Sequence, residues 1–541
     1  MDHGRPRRQE ELRSRAPALA GTSSLVKRRT ATRLWCGVSL FVLSSALATC
    51  TARPATSPAV RDQLTIGVPE GVVEGTELGL RRLATMLSVE SLSQLGDDGR
   101  PVPQLAESWW WENDGLRLNI NLRPGIQFHD GTPLTAAVAS KILGDAVNRR
   151  SNQALFTSFT DVKSVRASGD KQVIVELSEP SAFLPDDLEV PIELGNPVDG
   201  TGPYRVVKQD SKELVLERYP RYYLGTPRIT RITAKPFDTL RTAWSSLLRG
   251  DVDMITDVPP DAVEFIRNEE VRVVSFGRRY QYLVALNLRK RPFDSPLVRR
   301  ALNAAIDRQA LIQDALQGHG VASTGPLWPK HWAYNNAIAS YRFDPGLATS
   351  LLNSAGLRAD KRSVGPQTRF RFTCLIPENF SVLERVALEV QKQLYDVGVD
   401  MQFEVVPSTE FNTRIREGRF DAMLIDSISG PTVGRSYMFW RSARRFPGGL
   451  NFFGYENAEA ERLFDVMRTS TNEIAIQSSF SRLQETLLDD PPALFLAWNE
   501  RSRAVRRDFQ IVQDPLHDPA DPIYSMWRWT ATSGPRLALA K

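Results

Sequence analysis

Cysteine is the scarcest resource in this chain: three in 541 residues. Cys36 falls inside an apolar run near the start, Cys50 just after it, and Cys374 stands alone in the rest. A disulfide framework is therefore excluded, and the fold must rest on core packing. Cys374, in the strand pattern Arg371-Phe372-Thr373-Cys374-Leu375-Ile376, reads as an inert buried thiol. Histidine is also sparse, and His3, His129, His319, His331 and His517 are scattered with no HExxH or similar ligand spacing. There is no G-x-S-x-G elbow, no local Cys–His pairing and no phosphate loop. Gly200-Thr201-Gly202 lacks the third glycine of a dinucleotide turn, and Pro203 blocks the helix entry such a site needs. The sequence thus assigns no catalytic residue, no metal site and no resident cofactor, and an enzyme is not expected. Internal repeats and coiled-coil heptads are absent as well.

Positive charge is concentrated at one end. The formal net charge is +5, but nine of the 68 basic and three of the 63 acidic residues lie in 1–49, leaving 59 against 60. The excess is no basic patch on a folded surface, so a nucleic-acid partner is excluded. Lys27-Arg28-Arg29 and Arg33 precede a mostly apolar run, Leu34 to Ala48, which falls short of the ~18 residues of a membrane span. Leu47-Ala48-Thr49-Cys50 resembles a lipoprotein signal box, with Thr49 where Gly, Ala or Ser is usual. Residues 1–49 then read as a signal peptide with a polar N-terminal extension, Cys50 as the lipidated residue, and 50–61 as a Pro/Ala/Thr-rich tether. The competing reading is an uncleaved anchor with an incidental cysteine.

The most informative stretch is Pro103 to Thr135, PQLAESWWWENDGLRLNINLRPGIQFHDGTPLT. It reads as a helix end or turn around Leu105–Ser108, then a strand centred on Trp109-Trp110-Trp111. Asn113-Asp114-Gly115 supplies a hairpin turn into a second strand, Leu116–Leu122, and Thr135 can cap a helix beginning at Ala136. His129, beside Asp130-Gly131, reads as a turn residue bonded to backbone. This order of residues resembles the signature of the family 5 extracellular solute-binding proteins, the dipeptide, oligopeptide and nickel receptors of ABC importers. Further blocks follow in the family's order. They are Gly200-Thr201-Gly202-Pro203-Tyr204, Leu216–Tyr223, Leu248–Met254, Pro292-Phe293-Asp294, Val298–Arg308 and Tyr341–Gly356.

The resemblance implies an α/β, two-lobed periplasmic-binding-protein fold of the large peptide-binding type. Lobe I is expected in 62–88, 196–286 and 498–541, an inserted subdomain in 89–195, and lobe II in 287–497. The chain is expected to cross between lobes at Leu283–Leu288 and Leu494–Trp498. The resemblance also implies an oligopeptide ligand, a permease pair with ATPase subunits as partners, and an exported protein held to the cell membrane through its lipid. Haem or a chelated metal as the transported ligand, or a non-transport role in envelope assembly or regulation, stay open.

Ligand contacts are expected from Glu70, Gly71, Glu90, Glu378, Asn379, Phe380, Asp426, Ser427, Ser429 and Arg435. Peptide-binding relatives hold the ligand ammonium with an aspartate in a W-x-x-D element, which this chain lacks. Asp426 is the nearby acid, readable as that partner or as a strand-end turn residue. Arg435, Arg441, Arg444 and Arg445 read as a solvated face, with a carboxylate-binding role as the alternative. With the family's dipeptide-specific arginine not evident at Pro377–Phe380, a longer peptide held through its backbone fits better than a dipeptide.

Overall fold

The structure, a computed structural model, describes residues 62–69, 76–195, 199–266, 268–323, 325–359, 368–378, 380–428, 432–513 and 521–532. Cys50 and the signal segment lie outside them. The chain opens with β1 (Gln63–Pro69), a helix over Thr76–Ser88, and the short strands β2 (Glu90–Ser91), β3 (Ser93–Leu95) and β4 (Pro101–Pro103). Next come β5 (Ala106–Glu112), β6 (Arg117–Leu122), a helix over Ala136–Val147, β7 (Val162–Ser168), β8 (Gln172–Leu177) and β9 (Pro191–Ile192). After β10 (Tyr204–Gln209), β11 (Leu214–Arg218), β12 (Arg231–Phe237) and β13 (Met254–Val258), the 16-residue β14 runs from Val271 to Leu286. The remainder holds β15 (Gly320–Ala322), β16 (Phe370–Pro377), β17 (Val399–Val406), β18 (Ala422–Ser427) and β19 (Ala493–Arg506), with helices between them.

One hydrogen-bonded sheet runs through both lobes in the order β10-β11-β12-β1-β13-β19-β14-β18-β16-β17, with β15 added on β19. Parallel pairs β1–β12 and β16–β17 lie towards its two ends, each covered by helices, as an α/β lobe requires. β14 and β19 join the two halves: Val271–Gly277 pairs antiparallel with Glu500–Arg506, and Gln281–Ala285 with Ala493–Trp498. The expected crossing segments belong to these strands, and the register breaks twice, between Gly277 and Gln281 and between Tyr282 and Leu283. The two-lobed α/β expectation is what the chain adopts.

A separate four-stranded antiparallel sheet, β5-β6-β8-β7, packs on the Ala136–Val147 helix around Leu118, Ile120, Leu143 and Val175. Thr135 caps that helix by accepting from the Val138 amide, as its spacing predicts. Trp109 and Trp111 pack on this core while Trp110 is 39% exposed, the period-two signature of a half-buried strand. One local expectation is overturned: Ala106–Ser108 is strand, not a helix end, because β5 begins early through a bulge against Leu122 and Asn121.

The family-like residues build joints between segments. His129 Nε2 lies 2.9 Å from the Gly202 carbonyl oxygen, the His129 amide donates to Gly200, and the Tyr219 hydroxyl donates to Phe128. Gly202 in turn donates to the Ser88 carbonyl. No side chain fits at this joint: a Cβ on Gly200 would stand 1.9 Å from the Ser88 oxygen. In the second lobe, the buried Arg308 guanidinium donates to the carbonyls of Phe495, Asn303 and Ile306, and Asn303 donates to Ala493, which anchors the entry to β19.

Gly200→Ala should therefore destabilise the fold by about 1–3 kcal/mol or more, the range for overpacking a tight site. Gly448→Ala, where an added Cβ meets nothing within 4 Å, should stay within about 0.5 kcal/mol. Urea denaturation of both variants checks the contrast, and equal stabilities would refute the joint.

Candidate functional site

A regular strand sends successive side chains to opposite faces. β14 breaks that rule where the lobes meet. Gly277 pairs with Glu500 and Gln281 with Trp498, so three residues, Arg278, Arg279 and Tyr280, stand opposite Asn499 alone. This bulge turns both neighbouring arginines onto one cavity, a re-aiming that bulges commonly perform. Across from it, Arg501 and Arg503 of β19 are two residues apart, share a face and line the same space. Asp257 enters from β13 on one side and Asp426 from β18 on the other. The cavity measures about 1010 Å³, at the top of the ~300–1,000 Å³ range of small-ligand sites. Glu90, Gln104 and Arg123 from the inserted segment, Tyr222 and Tyr223, and Trp527 close its other walls.

The charges are unevenly matched. Among the described residues, eight arginines and five carboxylates line the cavity, so its lining favours anionic groups. Arg503 and Asp521 form a buried pair with contacts of 2.7 and 3.1 Å. Arg501 stands 3.5 Å from Asp257 and 4.0 Å from Asp426. Burial opposes the Arg501 charge, but Asp257, Tyr282 and Asp426 together hold its pKa above the ordinary arginine value. Other guanidiniums rest on neutral groups: Arg123 on the Gln104 carbonyl, Arg279 on Leu95 and Gly96, Arg435 on Leu155. Among the described residues none of the three forms an ion pair, although Arg123 acts through space on Glu90 and Arg435 on Asp187.

Asp426 faces Tyr282 across the β14–β18 ladder, with its Oδ2 accepting from Asn499 Nδ2 at 3.0 Å. Its Oδ1 is buried and has no hydrogen-bond partner among the described residues. Burial lifts its pKa above the usual aspartate value, although Arg278, Arg501 and Asn499 pull the other way. Among the described residues its carboxylate makes no hydrogen bond to the backbone that follows β18. Asp257 Oδ1, Asn499 Oδ1, Trp498 Nε1 and Arg501 Nε are likewise buried without protein partners. Such orphaned groups gather where the chain passes between lobes, and a polar ligand there would relieve their desolvation.

Of the expected contacts, Glu90, Phe380, Asp426 and Arg435 line the cavity. Glu378 and Ser427 do not: the Glu378 amide bonds Val406, and Ser427 is buried opposite Gln281. Glu70, Gly71, Asn379 and Ser429 lie outside the described residues. The arginine group is no uniform solvated face. Arg441 is buried against Glu461 and Asp465, Arg435 reaches the cavity, and Arg444 is exposed. Sequence reasoning missed Arg278, Arg279 and Arg501. The one available signal was a pair of adjacent arginines interrupting a strand pattern.

Glu90 carries a strongly shifted carboxyl. Thr201 donates to one oxygen at 2.8 Å, and Tyr222 and Tyr223 to the other at 3.0 and 3.1 Å. Burial nevertheless raises its pKa from 4.5 to about 7, outweighing those three hydrogen bonds. An acid whose pKa rises on folding favours the fold while protonated. Its contribution is fully present below 4.5 and is lost as pH climbs through about 7. Glu90→Gln should remove up to about 3 kcal/mol of the stability change between pH 4.5 and 8. Denaturant titrations of wild type and variant at both pH values check this; parallel pH dependence would contradict it.

Comparison with known proteins identifies the family and the fold. The profile of the family described as bacterial extracellular solute-binding proteins, family 5 Middle, matches residues 100–445. The glutathione-binding protein GsiB of Pectobacterium atrosepticum is 26% identical over 425 residues, covering 74% of this chain and 80% of GsiB. The oligopeptide-binding protein AppA of Bacillus subtilis, solved with a nonapeptide, superposes with a TM-score of 0.70 at 20% identity, covering 87% of this chain and 100% of AppA. NikZ of Campylobacter jejuni, solved with Ni(L-His), gives 0.71 at 21% identity, covering 87% and 99%.

Proposed function

Because the chain belongs to family 5 of the bacterial extracellular solute-binding proteins, we propose that it is the receptor of an ABC importer and captures short peptides. The observation that carries this reading is the inter-lobe cavity of about 1010 Å³ with Asp426 Oδ1 buried and unpartnered on its wall. A peptide loses water from both charged termini when lobes close on it, and each needs an opposite charge. Asp426 meets an ammonium, and the arginine surplus meets carboxylates. The bulge at Arg278–Tyr280 leaves main chain outside the ladder register, where an extended peptide can pair by strand addition. GsiB and AppA are named for glutathione and oligopeptides, which supports a ligand of this chemistry. A permease pair with ATPase subunits would receive the peptide.

Removing one partner of a buried charge pair costs on the order of 2–5 kcal/mol. Asp426→Ala should then weaken a free-amine tetrapeptide about 30-fold or more, and its N-acetylated form much less. Calorimetry with both peptides tests this. Equal losses, or none, would remove the ammonium role and move haem or another amine-free ligand forward.

Anchoring belongs to the same reading. No helix among the described residues is long and apolar enough to cross a membrane. Cys50 carries the lipid in this account, and Cys50→Ala should release or misprocess the protein. Unchanged lipid labelling and membrane retention in that variant would contradict it.

A further inference from the structure

The charges at the bulge differ in how much of their hydrogen-bonding capacity the protein uses. Arg503 is committed to Asp521, and Arg501 lies between Asp257 and Asp426. Arg278 is different. Its guanidinium sits 4.1 Å from the centroid of the Tyr280 ring and 3.9 Å from Asp426 Oδ2, beyond hydrogen-bond reach. It makes no hydrogen bond among the described residues. Asp426 gives Oδ2 to Asn499 and keeps Oδ1 without a protein partner. A carboxylate and a guanidinium therefore stand side by side on the cavity wall, each with bonding capacity left over.

We infer that this pair recognises an unblocked α-amino-acid head group, Asp426 taking the ammonium and Arg278 the carboxylate on the same carbon. The inference rests on the peptide-receptor reading and narrows it. Distance decides between ligand classes. In an extended linear tripeptide the ammonium and carboxylate are about 10 Å apart, so only one terminus can reach a pair separated by 3.9 Å. A residue joined through its side chain, such as a γ-linked glutamyl group, keeps both charges on one α-carbon and satisfies both partners together. The preferred ligands are then side-chain-linked peptides and other amino-acid conjugates. The guanidinium matches a carboxylate in bidentate geometry, and its desolvated setting strengthens that contact.

The test uses two isomers of one composition, γ-Glu-Ala-Gly and α-Glu-Ala-Gly, titrated calorimetrically into the full chain. The γ-linked isomer should bind at least tenfold tighter. In Arg278→Gln that preference should largely vanish through loss of affinity for the γ-linked isomer. A measurement on the unaltered protein guards against a misfolded variant: amidating the α-carboxylate of the γ-linked isomer should also cost about tenfold. Tight binding of the α-linked isomer with no gain for the γ-linked one, or amidation without cost, would overturn the inference and leave the peptide reading standing. Binding of neither isomer would overturn both.

Discussion

Everything in this molecule depends on the antiparallel pairing of β14 with β19. Each strand begins in one lobe and ends in the other, and together they make the two halves a single sheet. A continuous ladder would fix the lobes rigidly. The register break between Gly277 and Gln281 interrupts the ladder at the junction, so the place where the chain can bend is also where Arg278, Arg279 and Tyr280 reach the ligand cavity. If the lobes close on a ligand, motion and recognition fall to the same residues. The contacts between the inserted segment and the second lobe are mixed. Lys330–Asp97 and Arg100–Glu473 are exposed ion pairs, a class worth about 0–1 kcal/mol each. Arg468–Asp161 is largely buried, and Phe183 packs into the second lobe's core, edge-on to Tyr437. A ligand bridging Asp426 and the arginines would add contacts that only a closed arrangement can provide.

Much of the fold was legible in the sequence, and the structure explains why. The residues that carry the family resemblance sit at joints between segments. Gly200 and Gly202 let two backbone segments touch, His129 and Tyr219 bond across them, and Asn303 with Arg308 satisfies the carbonyls around the entry to β19. The early start of β5 escaped because a bulge at Ala106–Ser108 leaves no mark in a period-two pattern.

The site was far less legible. Its charges come from Asp257, Arg278, Asp426 and Arg501, separated by up to 244 residues and brought together only by the sheet. Asp426 could be picked out because it lay in the right segment. Arg278 could not, since strand periodicity would place one of two adjacent arginines on each face. The same fold houses AppA and NikZ, which were solved with a nonapeptide and with Ni(L-His). What distinguishes one such receptor from another is therefore the lining of the cavity, and here the lining is rich in arginines held by neutral groups.

The central claim is that the two lobes close over a ligand by bending at the β14–β19 junction. Small-angle X-ray scattering of the full chain, with and without a saturating peptide whose binding is confirmed by calorimetry, tests it directly. The account predicts a smaller radius of gyration in the bound state. An unchanged radius with binding confirmed would contradict it.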